Sequence, residues 1–202
     1  MPGSSSIGFA SRAAAGAAAL ALVVVPLAYA AGTPTFAGPT IKNPRVPPEF
    51  ALRDQAGRVI DLAKQRGRVV LLTFLYTHCV DVCPLTAEHL EMALQSLGRR
   101  RSEARVLAIS VDPVGDTPSA VKRFIRVHRL GPQFHYLTGP RATLKRIWTE
   151  YLVKSSLRGG GLVDHTLYTL LLDRSLKGRV LYDSTAKVSA IAHDLRIVLG
   201  AR

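Results

Sequence analysis

The stretch "GRVVLLTFLYTHCVDVCP", Gly67 to Pro84, decides the fold and holds both cysteines of this 202-residue chain. Its first half is a continuous apolar run rich in β-branched residues and without polar alternation, which indicates a central strand buried on both faces. A helical pattern follows Pro84. Cys79 and Cys83 therefore bracket a predicted strand-to-helix turn at the carboxyl edge of an α/β sheet, where open sheets of this class place their reactive sites.

The segments on either side of this stretch alternate between strand and helix patterns. The predicted elements, in chain order, are a β-hairpin in "FALRDQAGRVIDL", the strand before the cysteines, a helix over Leu85–Leu97, a strand in "ARVLAISVD", a helix that Asp116 or Thr117 caps and Gly131 stops, an extended piece in "FHYLTG", a helix over Pro140–Val153, two strands in "HTLYTLLLD" and "GRVLYD", and a helix in "AKVSAIAHDLRIVLG". This order predicts an α/β, thioredoxin-like fold, with a central mixed sheet flanked by helices and an N-terminal β-hairpin extension.

The N-terminus divides into two further segments. Residues 1–31 contain Arg12, an apolar run and the small-residue pattern Ala28-Tyr29-Ala30, which predict an export signal peptide. The 19 uncharged residues from Ala13 to Ala31 come close to the length of a membrane span, so an N-terminal membrane anchor is an equal alternative. Residues 32–48 carry five prolines and predict an extended, Pro-rich tether rather than a packed element. Residues 49–202 form the predicted thioredoxin-like domain, which faces an oxidising compartment.

The charge of the chain restricts its partners. The formal net charge is +13, and because Arg12 is the only charged residue of the predicted signal, the remainder carries +12. Such a charge favours anionic membrane surfaces or acidic proteins. Nucleic acid is excluded as the expected partner, because the basic residues are scattered through helices without interleaved aromatic residues.

The cysteine pair can bind metal or exchange disulfides. Backbone N–H groups at a helix start favour a thiolate, and positions i and i+4 of a helical turn bring two side chains to one face. Cys79 and Cys83 could then close a disulfide or share a metal ion. A structural staple is a weaker interpretation, because so short a loop gives a disulfide little entropic effect.

A metal held by two thiolates needs a third ligand, and six histidines are available. Four of them sit in ordinary helical or extended contexts, namely His89, His128, His193 and His135. His78 adjoins the motif but lies on its strand side. His165 follows the flexible Gly159–Gly161 loop and precedes an apolar strand, so it is the histidine that the context favours.

The donor types favour copper over other metals. Two soft thiolates and one imidazole suit Cu(I) in trigonal geometry, and also Cu(II) when a further ligand joins. Structural zinc requires four protein ligands, and the chain has no second cysteine pair. A methionine-rich copper carrier is excluded, because Met1 and Met92 are the only methionines.

Four motifs in fixed order resemble the Sco/SenC family, the copper-binding, thioredoxin-fold proteins that assist cytochrome c oxidase assembly. They are "YTHCVDVCP" at Tyr76–Pro84, "ISVDPVGDTP" at Ile109–Pro118, "YLTG" at Tyr136–Gly139 and "VDHT" at Val163–Thr166. The resemblance extends from about Phe50 to the C-terminus. Two positions depart from the family pattern: Val80 replaces a proline between the cysteines, and Leu75 replaces a glycine before the motif.

The resemblance implies a function and a set of site residues. Cys79, Cys83 and His165 are the implied copper ligands, while Asp81 and Asp164 flank them as groups that orient the ligands or meet a partner. The implied protein is periplasmic or tethered to the periplasmic side of the inner membrane. It delivers copper to the binuclear copper centre of cytochrome c oxidase subunit II, or to another copper protein, or it reduces the cysteines there. Its own partner upstream would be a copper donor, which supplies the copper, or a thiol reductant, which keeps the cysteines reduced.

Two enzyme classes compete with this metallochaperone interpretation. An exported thiol–disulfide oxidoreductase would use Cys79 to attack and Cys83 to resolve, although such enzymes usually carry Cys-x-x-Cys. A peroxide-reducing enzyme would need groups that polarise the peroxide near one activated cysteine, and the sequence offers no such group before Cys79.

Overall fold

A computed structural model describes residue 3, residues 35–157 and residues 163–200, with the backbone alone at residues 156–157 and 163–165. The regular elements, in chain order, are β1 (Ala51–Arg53), β2 (Val59–Asp61), β3 (Val69–Leu75), α1 (Val82–Gln95), β4 (Ala104–Ser110), α2 (Pro118–Val127), β5 (Phe134–Leu137), α3 (Arg141–Glu150), β6 (Ser155–Leu157), β7 (Val163–His165), β8 (Thr169–Leu172), β9 (Gly178–Tyr182) and α4 (Val188–Leu199). Short 3-10 helices cover Ala63–Gln65 and Gly98–Glu103. All of these elements belong to one structural unit, Pro34–Arg202.

The main sheet has five strands in the order β5-β4-β3-β8-β9. β3 pairs in parallel with β4, and β4 with β5, while β3 to β8 and β8 to β9 are antiparallel. All seven residues of β3 are buried, as their unbroken apolar sequence predicts for a central strand. The predicted mixed sheet is confirmed.

Helices supply the remainder of the core. α1 packs against α4, and these two helices also contact β4 and β3, respectively. α2 contributes Val121 and Phe124 to the same buried cluster, and α3 contributes Leu144, Ile147 and Trp148. The Trp148 indole N–H donates to the Ser110 carbonyl at 3.0 Å, which fixes α3 beside the carboxyl end of β4.

The predicted N-terminal hairpin is formed by β1 and β2 in antiparallel register. Asp54 shapes its turn by accepting the N–H groups of Ala56 at 2.9 Å and Arg58 at 3.0 Å. The same carboxylate accepts a hydrogen bond from His135 on β5, at 3.1 Å, so the hairpin is joined to the main sheet.

The stretch predicted as a tether is extended, but part of it is packed. Ile41 N–H donates to the Arg179 carbonyl at 2.8 Å, and Thr40 bridges to Val180, so this stretch runs along β9. The buried Asp194 of α4 accepts the N–H groups of Ala37 at 2.7 Å and Gly38 at 3.0 Å. Proline-rich composition alone does not reveal such fastening, because its partners lie about 140 to 160 residues away.

Two helix ends differ from the prediction, both through residues with positive φ. α2 ends at Val127 rather than near Gly131, because Arg129 takes the left-handed conformation at φ 51°. α3 ends at Glu150 rather than Val153, and Leu152 has φ 56°. Side chains other than glycine rarely adopt this conformation, so a sequence pattern does not indicate these stops.

The hairpin of β6 and β7 was not predicted. Its strands pair in the register Ser155 to His165. The predicted flexible loop at Arg158–Gly161 lies outside the described residues. The predicted signal or anchor, residues 1–31, lies outside them except for Gly3. Within the described part of the chain, no helix combines the length and apolar character that a bilayer crossing requires.

Candidate metal centre

The two cysteines lie where β3 passes into α1, at the carboxyl edge of the sheet. β3 ends at Leu75 and α1 begins at Val82, earlier than the predicted start near Pro84. Cys83 is therefore inside the first turn of the helix, whereas Cys79 is in the turn before it. This position agrees with the predicted strand-to-helix turn.

The cysteines are adjacent and are not joined by a disulfide. The Cys83 N–H donates to the Cys79 sulfur at 3.4 Å. Cys79 is partly exposed and Cys83 is buried. One thiol can thus meet a reagent from solution, while the other is reached through the first.

The pKa values of the two thiols are shifted in opposite directions. The pKa of Cys79 is lowered to about 5, mainly because the Cys83 thiol donates a hydrogen bond to its sulfur. The backbone N–H groups of Asp81 and Cys83 and the side chain of Tyr76 lower it further, against the effect of burial. The pKa of Cys83 is raised, first because it donates that bond and then because it is buried. Cys79 is therefore a thiolate at neutral pH and Cys83 a thiol.

The buried carboxylate of Asp116 holds the cysteine turn through hydrogen bonds. Asp116 accepts hydrogen bonds from Thr77 N–H at 2.8 Å, Ser110 Oγ at 2.5 Å and the Tyr136 hydroxyl at 2.9 Å. It thereby joins the chain after β3 to the ends of β4 and β5. Burial raises its pKa, against the effect of these hydrogen bonds.

Sequence reasoning missed this role of Asp116. The residue was considered only as a cap for α2, and Thr117 occupies that position, with its side chain accepting Ala120 N–H at 3.2 Å. The available signal was the motif "ISVDPVGDTP", which contains both Ser110 and Asp116.

The loop between β4 and α2 approaches the turn closely at Gly115. The Asp112 carboxylate accepts the Gly115 N–H at 2.9 Å. A Cβ at Gly115 would overlap the Asp112 carboxylate and would lie 2.8 Å from Nδ1 of His78. A side chain at position 115 would therefore force Asp112 and His78 to shift.

His165 is placed by its backbone alone. It lies in β7, opposite Ser155 of β6. The Ser155 hydroxyl donates to the Val111 carbonyl at 3.2 Å, directly after β4. The β6–β7 hairpin is thus fastened to the sheet edge at which β3 also ends. The side chains of His165 and Asp164 lie outside the described residues, so their predicted roles stay predictions.

The other histidines have partners of their own. His78 is exposed, with Nδ1 3.3 Å from Thr77 Oγ1. The remaining contacts are His89 to the Ala186 carbonyl, His128 to Glu88, His135 to Asp54 and His193 to the Thr35 carbonyl. His135 is more constrained than its sequence context indicated, because it is buried within β5.

Asp81 is exposed and precedes α1 without capping it through its side chain. Its backbone N–H, rather than its carboxylate, acts on Cys79. No group of three His, Cys, Asp or Glu side chains fit to hold a metal occurs among the described residues. What the described part provides is a pair of sulfurs, one of them ionised, which is a donor set for a soft metal ion.

The comparisons with known proteins agree with the motifs. A family model described as SCO1/SenC matches residues 38–200. The SenC protein of Rhodobacter capsulatus is 29% identical over 156 residues, covering 75% of this chain and 70% of that protein. Copper-bound ScoI of Bradyrhizobium japonicum superimposes with a TM-score of 0.68 at 28% identity, covering 76% of this chain and 99% of that chain. Apo Sco1 of Thermus thermophilus gives 0.65 at 32% identity, covering 81% and 94%.

These structural matches confirm the predicted thioredoxin-like fold. The matched region also contains all four motifs that carry the resemblance, from Tyr76 to Thr166. The chain belongs to the SCO1/SenC family.

Proposed function

We propose that this chain is a copper metallochaperone that binds one copper ion through Cys79, Cys83 and His165. In this proposal it helps to metallate or reduce the binuclear copper centre of cytochrome c oxidase subunit II. The observation that carries the proposal is the Cys79 thiolate with the Cys83 sulfur beside it at the carboxyl edge of the sheet. The copper-bound relative from Bradyrhizobium japonicum supports copper as the cargo.

The donor set fits copper on chemical grounds. Thiolates are soft ligands that favour Cu(I), and an imidazole completes a trigonal site or joins a tetragonal Cu(II) site. Cys79 is ionised near neutral pH, so it can bind without first losing a proton. Cys83 must release its proton on binding, so loading becomes more favourable as the pH rises.

The surrounding residues hold the turn for transfer. Asp116 holds the cysteine turn through its hydrogen bond to Thr77, and the β4–α2 loop lies close to the turn at Gly115. The β6–β7 hairpin carries His165 on a separate element. A ligand that sits on its own hairpin can withdraw while the sulfurs keep hold of the cargo. Copper would then pass by ligand exchange to the cysteines of the acceptor, and the emptied pair could close into a disulfide.

The test is copper titration of the reduced full chain, in a neutral detergent, monitored through thiolate-to-Cu(II) charge-transfer absorption. We expect one copper per chain, with affinity at least tenfold lower in His165→Ala, the usual range for losing a metal-supporting group. His193→Ala is the matched control, because His193 lies on α4 and its imidazole contacts the Thr35 carbonyl, away from the cysteine turn. Unchanged copper affinity in His165→Ala would remove this histidine from the site.

A thiol–disulfide reductase is the second function that an observation favours. A partly exposed thiolate beside a buried thiol suits Cys79 for attack on a target disulfide and Cys83 for resolution. The step transfers two electrons to the target as Cys79 and Cys83 form a disulfide; Cys83 releases one proton, and water supplies the second proton of the target dithiol. His165→Ala separates the two functions: a reductase would retain full exchange with a target disulfide, and a chaperone would lose copper transfer.

The location follows from the same chemistry. We propose that the thioredoxin-like domain is exported to the periplasmic side of the inner membrane, as the N-terminal segment predicts. The copper-free pair would persist as a disulfide in an oxidising compartment such as the periplasm. Protease digestion of intact spheroplasts tests this, since an exported domain is cleaved while a cytoplasmic marker protein is spared.

A further inference from the structure

A groove runs along α2 directly beside the cysteine turn. Its volume is about 580 Å³, and it is lined by His78 together with Lys122, Arg123 and Arg126. His78 precedes Cys79 in the chain, so the groove adjoins the cysteine turn. A second hollow continues it past Phe124 to Val127.

The three cations of this groove share one face of the helix. Positions 122, 123 and 126 follow the spacing of neighbours on a helix surface, while Val121 and Phe124 are buried on the opposite side. None of the three makes an ion pair or a side-chain hydrogen bond with the rest of the described chain. The residues that line the groove also include no carboxylate. Their positive charge is therefore directed at solvent and at a partner.

Several basic residues elsewhere in the described chain are paired, unlike these three. Arg101 pairs with the buried Glu91, Arg146 pairs with Glu150, and Arg100 and Arg174 share Glu103. These arginines are partly neutralised within the fold. The α2 cations are thus a cluster of unpaired charge beside the site.

Exposed apolar side chains lie around the same turn. Val80, between the cysteines, is 89% exposed, and Val114, in the loop that precedes α2, is 71% exposed. Val127 is 60% exposed at the far end of the second hollow. Apolar contacts at the centre with charged groups beside them are the composition of a protein–protein interface.

We propose that the α2 groove docks an acidic surface of the protein that exchanges copper with Cys79 and Cys83. This inference rests on the proposed function and adds how the partner is recognised. The groove lies on one side of the turn, so the partner would carry its carboxylates on one side of its own thiolate site. Free charges at such a rim mainly raise the association rate, whereas the apolar contacts hold the complex.

A folded protein fits the groove better than an anionic bilayer. Ligand exchange requires the partner's sulfurs to reach Cys79, and a membrane seated on the groove would cover that turn. The groove is also concave, which suits a protruding acidic segment.

The test compares two triple variants of the full chain in a neutral detergent. The groove variant is Lys122→Gln, Arg123→Gln and Arg126→Gln. The control variant, Lys64→Gln, Arg68→Gln and Lys177→Gln, removes the same charge. These three exposed residues lie near the amino end of β3 or in the β8–β9 turn, at the opposite edge of the sheet. Copper stoichiometry is measured first with copper alone, and we expect it to be unchanged in both variants.

The copper-loaded chains are then mixed with the reduced, copper-free soluble domain of cytochrome c oxidase subunit II. At low ionic strength, we expect the groove variant to transfer copper about tenfold more slowly than the wild type, and the control to differ by less than about twofold. The difference should largely disappear at molar salt, because the charges are then screened within about 3 Å. Equal rates in both variants would overturn the groove as a docking site.

Three further outcomes are distinguishable. If all chains bind copper and none transfers it, the assigned partner is wrong, and so is the occupant proposed for the groove. In vesicles of phosphatidylcholine with phosphatidylglycerol, Cys79 should react with a water-soluble maleimide as fast as in phosphatidylcholine alone. Protection of Cys79 by the anionic lipid, lost in the groove variant, would assign the groove to the membrane instead. Failure of the wild type to bind copper would refute the proposed function itself.

Discussion

Cys79 and Cys83 carry the same functional group, but Cys79 is ionised and Cys83 is protonated. The difference arises from one hydrogen bond and from burial, since Cys83 donates to Cys79 and is itself enclosed. A dithiol of this kind has one member ready to bind or attack and a second that stays protected until the first has reacted. Both proposed functions depend on this asymmetry.

Replacement of Cys83 by alanine should raise the pKa of Cys79. The wild-type value of about 5 depends chiefly on the bond from Cys83, so its loss should bring the value towards the usual ~8.5, while the Asp81 N–H keeps it somewhat lower. The rate of iodoacetamide alkylation against pH, in the reduced copper-free protein, measures the shift. An unchanged midpoint would show that the backbone N–H groups alone hold the thiolate.

The same shift has a consequence for stability. A pKa that is lower in the folded than in the unfolded state stabilises the fold above the unfolded value, and this contribution is lost as the pH falls through the folded value. For Cys79 the loss therefore occurs between about pH 8.5 and about pH 5. Urea denaturation of the reduced protein across this window should show a steeper decline for the wild type than for Cys83→Ala.

The sequence predicted the position of the two cysteines, but not the hydrogen-bonded carboxylate that holds their turn. Two cysteines after a buried strand and before a helix are a local pattern, so their position followed directly. Asp116 could not be assigned in this way, because its three partners come from three segments of the chain. The fold had to be known before Thr77, Ser110 and Tyr136 could be brought to one carboxylate.

At the scale of elements, the segment along β9 links the predicted tether to the domain. Gly38 is the position where the backbone comes closest, since a Cβ there would lie 2.5 Å from Cε1 of Tyr182 and 2.6 Å from Cγ1 of Val180. Asp194 accepts the N–H groups of Ala37 and Gly38 beside that contact and also accepts the Tyr182 hydroxyl at 2.8 Å. The segment is therefore fixed by close approach and by a buried charge together.

Gly38→Ala should release this segment without unfolding the sheet. The added methyl group has no space against Tyr182, and displacement of the backbone would break its bonds to Asp194. We expect a loss of about 1–3 kcal/mol in the free energy of unfolding. Hydrogen exchange at Ala37, Gly38 and Ile41 should become much faster while the β3 amides stay protected. Ala37→Val is the control, because that side chain is exposed; equal exchange in both variants would contradict the close-approach argument.

The elements that were predicted correctly are those with strong local patterns. β3 was recognised by its uninterrupted apolar run, and α1 by the spacing of Leu90 and Leu94. The β6–β7 hairpin was missed because its strands are three residues each and their pairing depends on attachment to Val111. The end of α2 was misplaced because Arg129, and not Gly131, leaves the helical conformation.

At the scale of the whole molecule, the cysteine turn and the fastening of the N-terminal segment lie at different edges of the sheet. The cysteine turn, the β4–α2 loop and the β6–β7 hairpin meet at its carboxyl edge, and the N-terminal segment is fastened along β9 at its side. The free charges of α2 lie at that edge as well, so the proposed copper binding, docking and exchange would share one surface.

Copper binding should stabilise the whole reduced protein, because the proposed ligands come from segments far apart in the chain. Ligand bound only by the folded state contributes RT ln(1 + [L]/Kd), about 2.7 kcal/mol when free copper exceeds Kd by a hundredfold. For a domain of this size that corresponds to a rise of roughly 5–10 °C in Tm. Differential scanning calorimetry of the reduced chain, with and without a Cu(I) buffer, measures it. Cys79→Ala should show no rise, and neither should wild-type protein whose cysteines have been oxidised to a disulfide. A rise of equal size in these two samples would mean that copper binds elsewhere on the molecule.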